Sequence, residues 1–211
     1  MGVREDFIAA GEVAAKLLTD PAVAAAWDKP SALAEFSVAG LAGHLAFQVL
    51  AIPQILEAPH PAEPMVPVEE HYARVAWVDA DLDADINVRI RTGGEEVAAE
   101  GPTALAAQLT STLEQLRARL RSTANRPVRI AFWGPWSLAL DDMLLTRTME
   151  LVVHADDLAV SAGIATPEFP ASVTTAVIDL LTRLSVRRHG PAAVVRALTR
   201  AERAPATITA F

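Results

Sequence analysis

The clearest alternation of apolar and polar positions lies near residues 140 to 160. At helical spacing, one stripe of this segment carries Met143, Arg147, Glu150, His154 and Asp157. Apolar residues cover most of the remaining circumference, so the pattern predicts a long helix. Its polar stripe has two interpretations: a solvated face, or a set of functional groups turned into the protein.

A second predicted helix, from Val38 to Leu50, has apolar residues on every side of His44. Ser37 is placed to cap this helix, and Gly40 and Gly43 would let a neighbouring helix approach closely. Because an unpaired buried polar group costs roughly 1 to 3 kcal/mol, His44 needs a partner. Two interpretations stay open: a core histidine bonded to a carbonyl or to Glu150, or a metal ligand.

The rest of the chain also follows helical spacing. Helices are predicted over about 6–18, 68–91, 102–120, 171–188 and 191–203, with Gly93-Gly94 ending the run that starts at residue 68. Four prolines between Ala58 and Pro67 indicate an extended loop, and residues 127–139 an aromatic one. With almost no strand pattern, the fold class is predicted to be all-α.

The amino-acid composition limits the classes of partner that the protein is expected to bind. The chain has 211 residues, 52% hydrophobic and 21% charged, with a net charge of −8. This acidity disfavours nucleic acid and anionic membranes, and we expect small-molecule partners. The apolar window from Val38 to Leu56 carries His44, Gln48 and Pro53 without a basic flank, so a buried core helix is expected instead of a membrane span.

Two further features bear on chemistry and compartment. The chain has no cysteine, which excludes disulfides and thiolate ligands and means that thiol chemistry would need an external thiol. Its first residues are acidic where a signal peptide would be basic and then apolar, so a cytoplasmic location is expected. The sequence leaves open whether the protein forms a homodimer.

Two separated motifs together resemble a known family. The segment Ser37–Ala46 (SVAGLAGHLA) and the later segment Glu150–Ala159 (ELVVHADDLA) are similar to the mycothiol-dependent maleylpyruvate isomerase N-terminal family. That family belongs to the DinB-like metal-binding four-helix bundles. The resemblance implies such a bundle over residues 1–163, with residues 164–211 as a C-terminal helical extension packed on the same domain.

The same resemblance implies a site. His44, Glu150 and His154 would bind a divalent metal, expected to be zinc, and mycothiol would be the thiol that the metal ionises. Only 48 residues follow Gly163 where the family's isomerases carry a further domain. We therefore expect a metal-dependent enzyme that uses mycothiol for thiol transfer or isomerisation on a small electrophile other than maleylpyruvate.

Two neighbours of the predicted ligands are candidates for supporting roles. Asp157 could orient a ligand imidazole or a cofactor hydroxyl, and Arg147 could bind an anionic group of the substrate. A plain solvated charge is the alternative for each.

The spacing of His60, His71 and His189 gives no reason to place them in a functional site. For the whole protein, the alternative is a non-enzymatic helical binding or interaction protein; a helix-turn-helix regulator is disfavoured by the acidity.

Overall fold

The computed structural model describes residues 2–130 and 132–211, so Met1 of the predicted start and Ala131 of the predicted aromatic loop lie outside it. The helices are α1 (Val3–Leu18), α2 (Pro21–Ala26), α3 (Val38–Leu50), α4 (Ile52–Glu57), α5 (Val68–Tyr72), α6 (Asp85–Ala98), α7 (Pro102–Ser122), α8 (Leu140–Ala162), α9 (Ala171–His189) and α10 (Pro191–Thr199).

Four of these helices, α1, α3, α7 and α8, pack against one another and enclose the core. Fully buried side chains come from each of them, including Phe7, Leu45, Leu116 and Leu144. The prediction of an all-α, DinB-like bundle is confirmed. Within the described ranges, sheet is limited to β1 (Pro127–Val128) and β2 (Leu138–Ala139), an antiparallel pair that closes the aromatic loop.

Local sequence explains where the site-bearing helices begin and end. Ser37 caps α3 by accepting a hydrogen bond from the Gly40 amide at 2.8 Å. Helix α8 starts at Leu140, so Asp141 and Asp142 lie in its first turn and not at the capping position. Their negative charges interact favourably with the positive end of the helix dipole. The helix ends at Gly163, whose φ of 70° is a left-handed conformation suited to glycine.

Helix α6 corrects one prediction. Gly93-Gly94 was expected to end a helix running from residue 68, but that stretch is divided earlier, and α6 continues through both glycines to Ala98. The reason is tertiary packing on α3. A Cβ atom on Gly43 would lie 1.9 Å from the Gly94 carbonyl oxygen, so the two backbones touch. Packing outweighs the low helix propensity of glycine here.

The C-terminal segment packs on the bundle. Helix α9 contacts α1, α5 and α8, and α10 folds back on α9. Helix α10 ends at Thr199, not at the predicted residue 203, and a short 3-10 turn covers Ala201–Arg203. The tail then returns along α9, where Ser185 Oγ donates to the Ile208 carbonyl at 2.7 Å. Phe211 thereby reaches the aromatic rings of Tyr72 and Trp77.

The stretch Val38–Glu57 is long and apolar enough to cross a membrane by length and composition alone, but 67% of its most apolar window is buried inside the protein. This burial is that of a core helix in a soluble protein, as the sequence predicted.

Candidate metal centre

Three predicted side chains meet between α3 and α8. Glu150 and His154 lie one turn apart on α8, and His44 approaches them from α3. His154 Nε2 lies 3.1 Å from Glu150 Oε2, and His44 Nε2 lies 3.7 Å from the same oxygen. One ligand atom from each residue falls within 4.8 Å of the others. The polar stripe of α8 therefore faces the interior at this level.

These separations suit a divalent cation. Metal–ligand bonds of about 2.1 Å in tetrahedral geometry would place neighbouring ligand atoms roughly 3.4 Å apart. The two measured nitrogen–oxygen separations, 3.1 and 3.7 Å, lie on either side of that value. Two imidazoles and one carboxylate are also the ligand types of catalytic zinc sites, which keep a coordination position open. The donor set could hold a metal with small side-chain adjustments.

Burial and mutual contacts set the protonation states. The side chains of His44 and Glu150 are 17% and 13% exposed. Burial raises the pKa of Glu150, but hydrogen bonds with His154 and His44 outweigh it and hold that pKa well below its usual range. Burial lowers the pKa of His44. An ionised carboxylate and a neutral imidazole are the forms that bind a cation.

Asp157 orients the second imidazole. Its Oδ2 lies 2.9 Å from His154 Nδ1, on the side of the ring opposite Glu150. Burial lowers the pKa of His154, but hydrogen bonds with Asp157 and Glu150 more than compensate and raise it to about 9. At neutral pH His154 therefore carries both ring protons, donating Nδ1–H to Asp157 and Nε2–H to Glu150. A metal ion would displace the Nε2 proton, while Nδ1–H would stay bonded to Asp157. This is the carboxylate–histidine pairing that supports many metal sites.

Gln48 is a site residue that the sequence interpretation missed as such. It is fully buried one turn after His44 on α3, and its Nε2 donates to the His44 carbonyl at 2.8 Å and lies 3.3 Å from His44 Nε2. Its Oε1 accepts from Arg147 Nη1 at 2.6 Å. The available signal was the helical spacing of Gln48 and His44 within an otherwise apolar segment.

His71, which spacing did not commend, is buried nearby. Trp136 Nε1 donates to His71 Nδ1 at 3.0 Å, and the His71 ring packs 4.4 Å from that of Trp133. Burial, and after it the charge of Arg147, lower the pKa of His71 to about 3, so it is neutral. By contrast, His60 is exposed, and His189 lies 2.8 Å from the Thr209 carbonyl in the C-terminal segment.

A cavity of about 510 Å³ opens beside the ligand cluster. His44, Glu150, His154 and Arg147 contribute to its lining. The remaining wall is mainly apolar and comes from α3, α6, α8, the aromatic loop and the C-terminal residue. Such a volume suits a small molecule, with the polar groups gathered at one place on the wall.

A helical bundle that joins a histidine of one helix to a Glu-x-x-x-His pair of another has the DinB-like architecture. Within that class, the family model described as the mycothiol maleylpyruvate isomerase N-terminal domain matches residues 8–159. The match covers well over half of the chain, and the protein belongs to this family. No curated protein and no solved structure matches the chain.

Proposed function

We propose that this protein is a divalent-metal-dependent enzyme that uses mycothiol to modify or isomerise a small electrophile, with zinc as the metal. The observation that carries the proposal is the convergence of His44, Glu150 and His154 at the wall of a small-molecule cavity. Membership of a family named for a mycothiol-dependent isomerase supports the choice of thiol.

Each residue has a defined task in this proposal. His44 Nε2, His154 Nε2 and a Glu150 oxygen would hold the metal, and Asp157 would keep the His154 ring in its tautomer. When bound, the metal would lower the pKa of a coordinating thiol so that thiolate forms at neutral pH. The apolar wall would exclude water from the reacting carbon.

The proposed reaction begins with loss of the thiol proton to water. A sulfur lone pair then forms a carbon–sulfur bond with the electrophilic carbon. In a transfer, the displaced electron pair departs with the leaving group. In an isomerisation, it moves from a carbon–carbon double bond onto the adjacent conjugated group, and after rotation it returns, expelling the sulfur as thiolate, which regains a proton.

Metal content tests the ligand set. Purified protein, reconstituted with zinc and desalted, should retain about one metal ion per chain. His44→Ala should lose it, because a ligand is removed, whereas His60→Ala, the same change at an exposed histidine, should retain it. Equal and negligible metal in the wild type and His44→Ala would contradict the proposal.

Thiol binding tests the second half of the proposal. Mycothiol at about one hundred times its dissociation constant should stabilise the zinc-loaded protein by about 2.7 kcal/mol. The loaded protein should also accelerate release of chloride from 1-chloro-2,4-dinitrobenzene by mycothiol, and His44→Ala should not. Absence of metal, of stabilisation and of acceleration would favour the non-enzymatic binding protein instead.

A further inference from the structure

Arg147 is a buried cation that makes no direct ion pair with any described residue. Only 8% of the residue is exposed, and its Nε and Nη1 donate to neutral oxygens, those of Thr146 at 3.2 Å and Gln48 at 2.6 Å. Among the described residues, no carboxylate lies within ion-pair distance of the guanidinium and no acceptor bonds its Nη2. The ionised Glu150, one turn away on α8, acts on Arg147 only through space, so the buried guanidinium keeps an unused donor, and this is costly.

The guanidinium is held in place on the cavity wall. The buried Gln48 amide donates to the His44 carbonyl, which directs its oxygen toward Arg147. On another side, the Arg147 guanidinium carbon lies 5.7 Å from the centroid of the Trp133 ring. These contacts restrict the side chain before any ligand arrives. A fixed guanidinium matches the geometry of a carboxylate and loses little entropy on binding it.

The wall of the cavity around this guanidinium is mainly apolar, and aromatic side chains contribute to it. The wall includes Phe36, Phe47, Trp77, Ile90, Phe132 and Trp133. The apolar part of the wall offers no partners for the polar groups of a substrate, whereas a flat apolar body would fill the space beside it. The wall and the guanidinium together favour a molecule with an apolar body and one anionic end.

We infer that Arg147 is the recognition residue for the carboxylate of a small apolar acid and that Gln48 is its positioning residue. The inference rests on the proposed function, because this acid would be the electrophilic substrate. Arg147 precedes Glu150 by three residues, a rise of about 4.5 Å along the helix axis. The reacting carbon would therefore lie within a few bonds of the carboxylate.

Binding of paired probes tests this inference. Three acids, benzoate, phenylacetate and 3-phenylpropanoate, are each compared with the corresponding neutral carboxamide. Binding to the full chain is measured by titration calorimetry in the absence of thiol. Each measurement is made before and after the metal is removed with a chelator. At least one acid should bind roughly tenfold more tightly than its amide, since hydrogen bonds to charged groups exceed neutral ones by this order. The preference for the acid should remain after chelation. This result would show that the carboxylate binds to the protein and not to a metal ion.

Two arginine variants locate the preference. Arg147→Met should abolish it, and Arg89→Met should leave it intact, because Arg89 also lines the cavity but is exposed on α6. Equal affinities for acid and amide in the wild type, no binding of any acid at about 10 mM, or an unchanged preference in Arg147→Met would overturn the inference. The wild-type comparison is decisive by itself should Arg147→Met fail to fold.

The outcome is independent of the test of the proposed function. A carboxylate preference in a protein that takes up no metal and does not respond to mycothiol would leave Arg147 as a carboxylate-binding residue, but it would remove the enzyme proposal and with it the role of the acid as a substrate. If the protein takes up metal and reacts with the thiol but binds acid and amide equally, the enzyme proposal stands and the role of Arg147 is refuted.

Discussion

Single side chains outside the proposed ligand set hold the ligands in their orientation. Asp157 pairs with the outer nitrogen of His154, and Gln48 bonds the backbone of His44 while it restrains Arg147. Each replaces rotational freedom with a fixed direction before a metal or substrate arrives. Preorganisation of this kind affects affinity because less ordering remains to be done on binding.

Removing the Asp157 carboxylate should weaken metal binding without unfolding the protein. In Asp157→Ala, His154 Nδ1 loses its acceptor, so the ring can rotate and the alternative tautomer becomes available. We expect zinc affinity to fall roughly 10- to 100-fold, measured by competition with a chromophoric chelator. Asp156→Ala is the matched control, since this neighbouring aspartate is exposed and contacts Thr166 outside the site. Equal loss in both variants would refute the orienting role.

The sequence was sufficient for the residues with a repeating pattern or a family motif. Helical spacing marked His44, Glu150 and His154 as candidates but left two interpretations open, and the family resemblance then selected these three as metal ligands. Gln48 and His71 were not, because their partners, Arg147 and Trp136, lie far away along the chain. No local pattern encodes which distant groups meet, so these contacts required the folded structure.

At the scale of elements, the site depends on how closely α3 approaches α6. Gly43 and Gly94 allow backbone contact between these helices, and α6 carries much of the apolar cavity wall. The sequence interpretation recognised the close approach allowed by Gly43 but treated Gly94 as a helix breaker. Propensity alone cannot distinguish a glycine that ends a helix from one that lets a helix pack.

An added methyl group at the helix crossing should separate α3 from α6. The Cβ of Gly43→Ala would meet the Gly94 carbonyl oxygen at 1.9 Å, so the backbone of α3 or α6 has to shift. We expect the free energy of unfolding, measured by urea denaturation, to fall by about 1 to 3 kcal/mol.

Gly93→Ala supplies the control on the opposing helix. A Cβ at Gly93 meets nothing within 4 Å, so this change should raise the free energy of unfolding by about 0.5 to 1 kcal/mol through helix propensity. A Gly43→Ala protein as stable as the wild type would show that the crossing tolerates expansion.

At the scale of the whole molecule, the cavity is assembled from segments that are remote in sequence. Phe36 precedes α3, Trp77 follows α5, Phe132 belongs to the aromatic loop, and Phe211 arrives with the C-terminal tail. The bundle was predictable because amphipathic helices can pack in few ways. The cavity was not, since loop and tail paths depend on individual tertiary contacts and not on periodicity.

His71 connects this assembly to global stability. It joins α5 to the aromatic loop and stays neutral because burial, with the charge of Arg147, lowers its pKa to about 3. In the unfolded chain the same imidazole takes a proton near pH 6.5. The stability that it contributes is therefore complete above that pH and declines as the pH falls toward 3.

His71→Gln should make folding less sensitive to acid, because glutamine can still accept a hydrogen bond from Trp136 but does not titrate. Between pH 7 and pH 5 the wild type should lose about 2 kcal/mol more unfolding free energy than this variant, measured by urea denaturation at both pH values. His60→Gln, a change at an exposed histidine, should keep the wild-type loss. Parallel losses in all three proteins would mean that His71 takes up its proton while the protein remains folded, and that its buried contact with Trp136 does not hold it neutral.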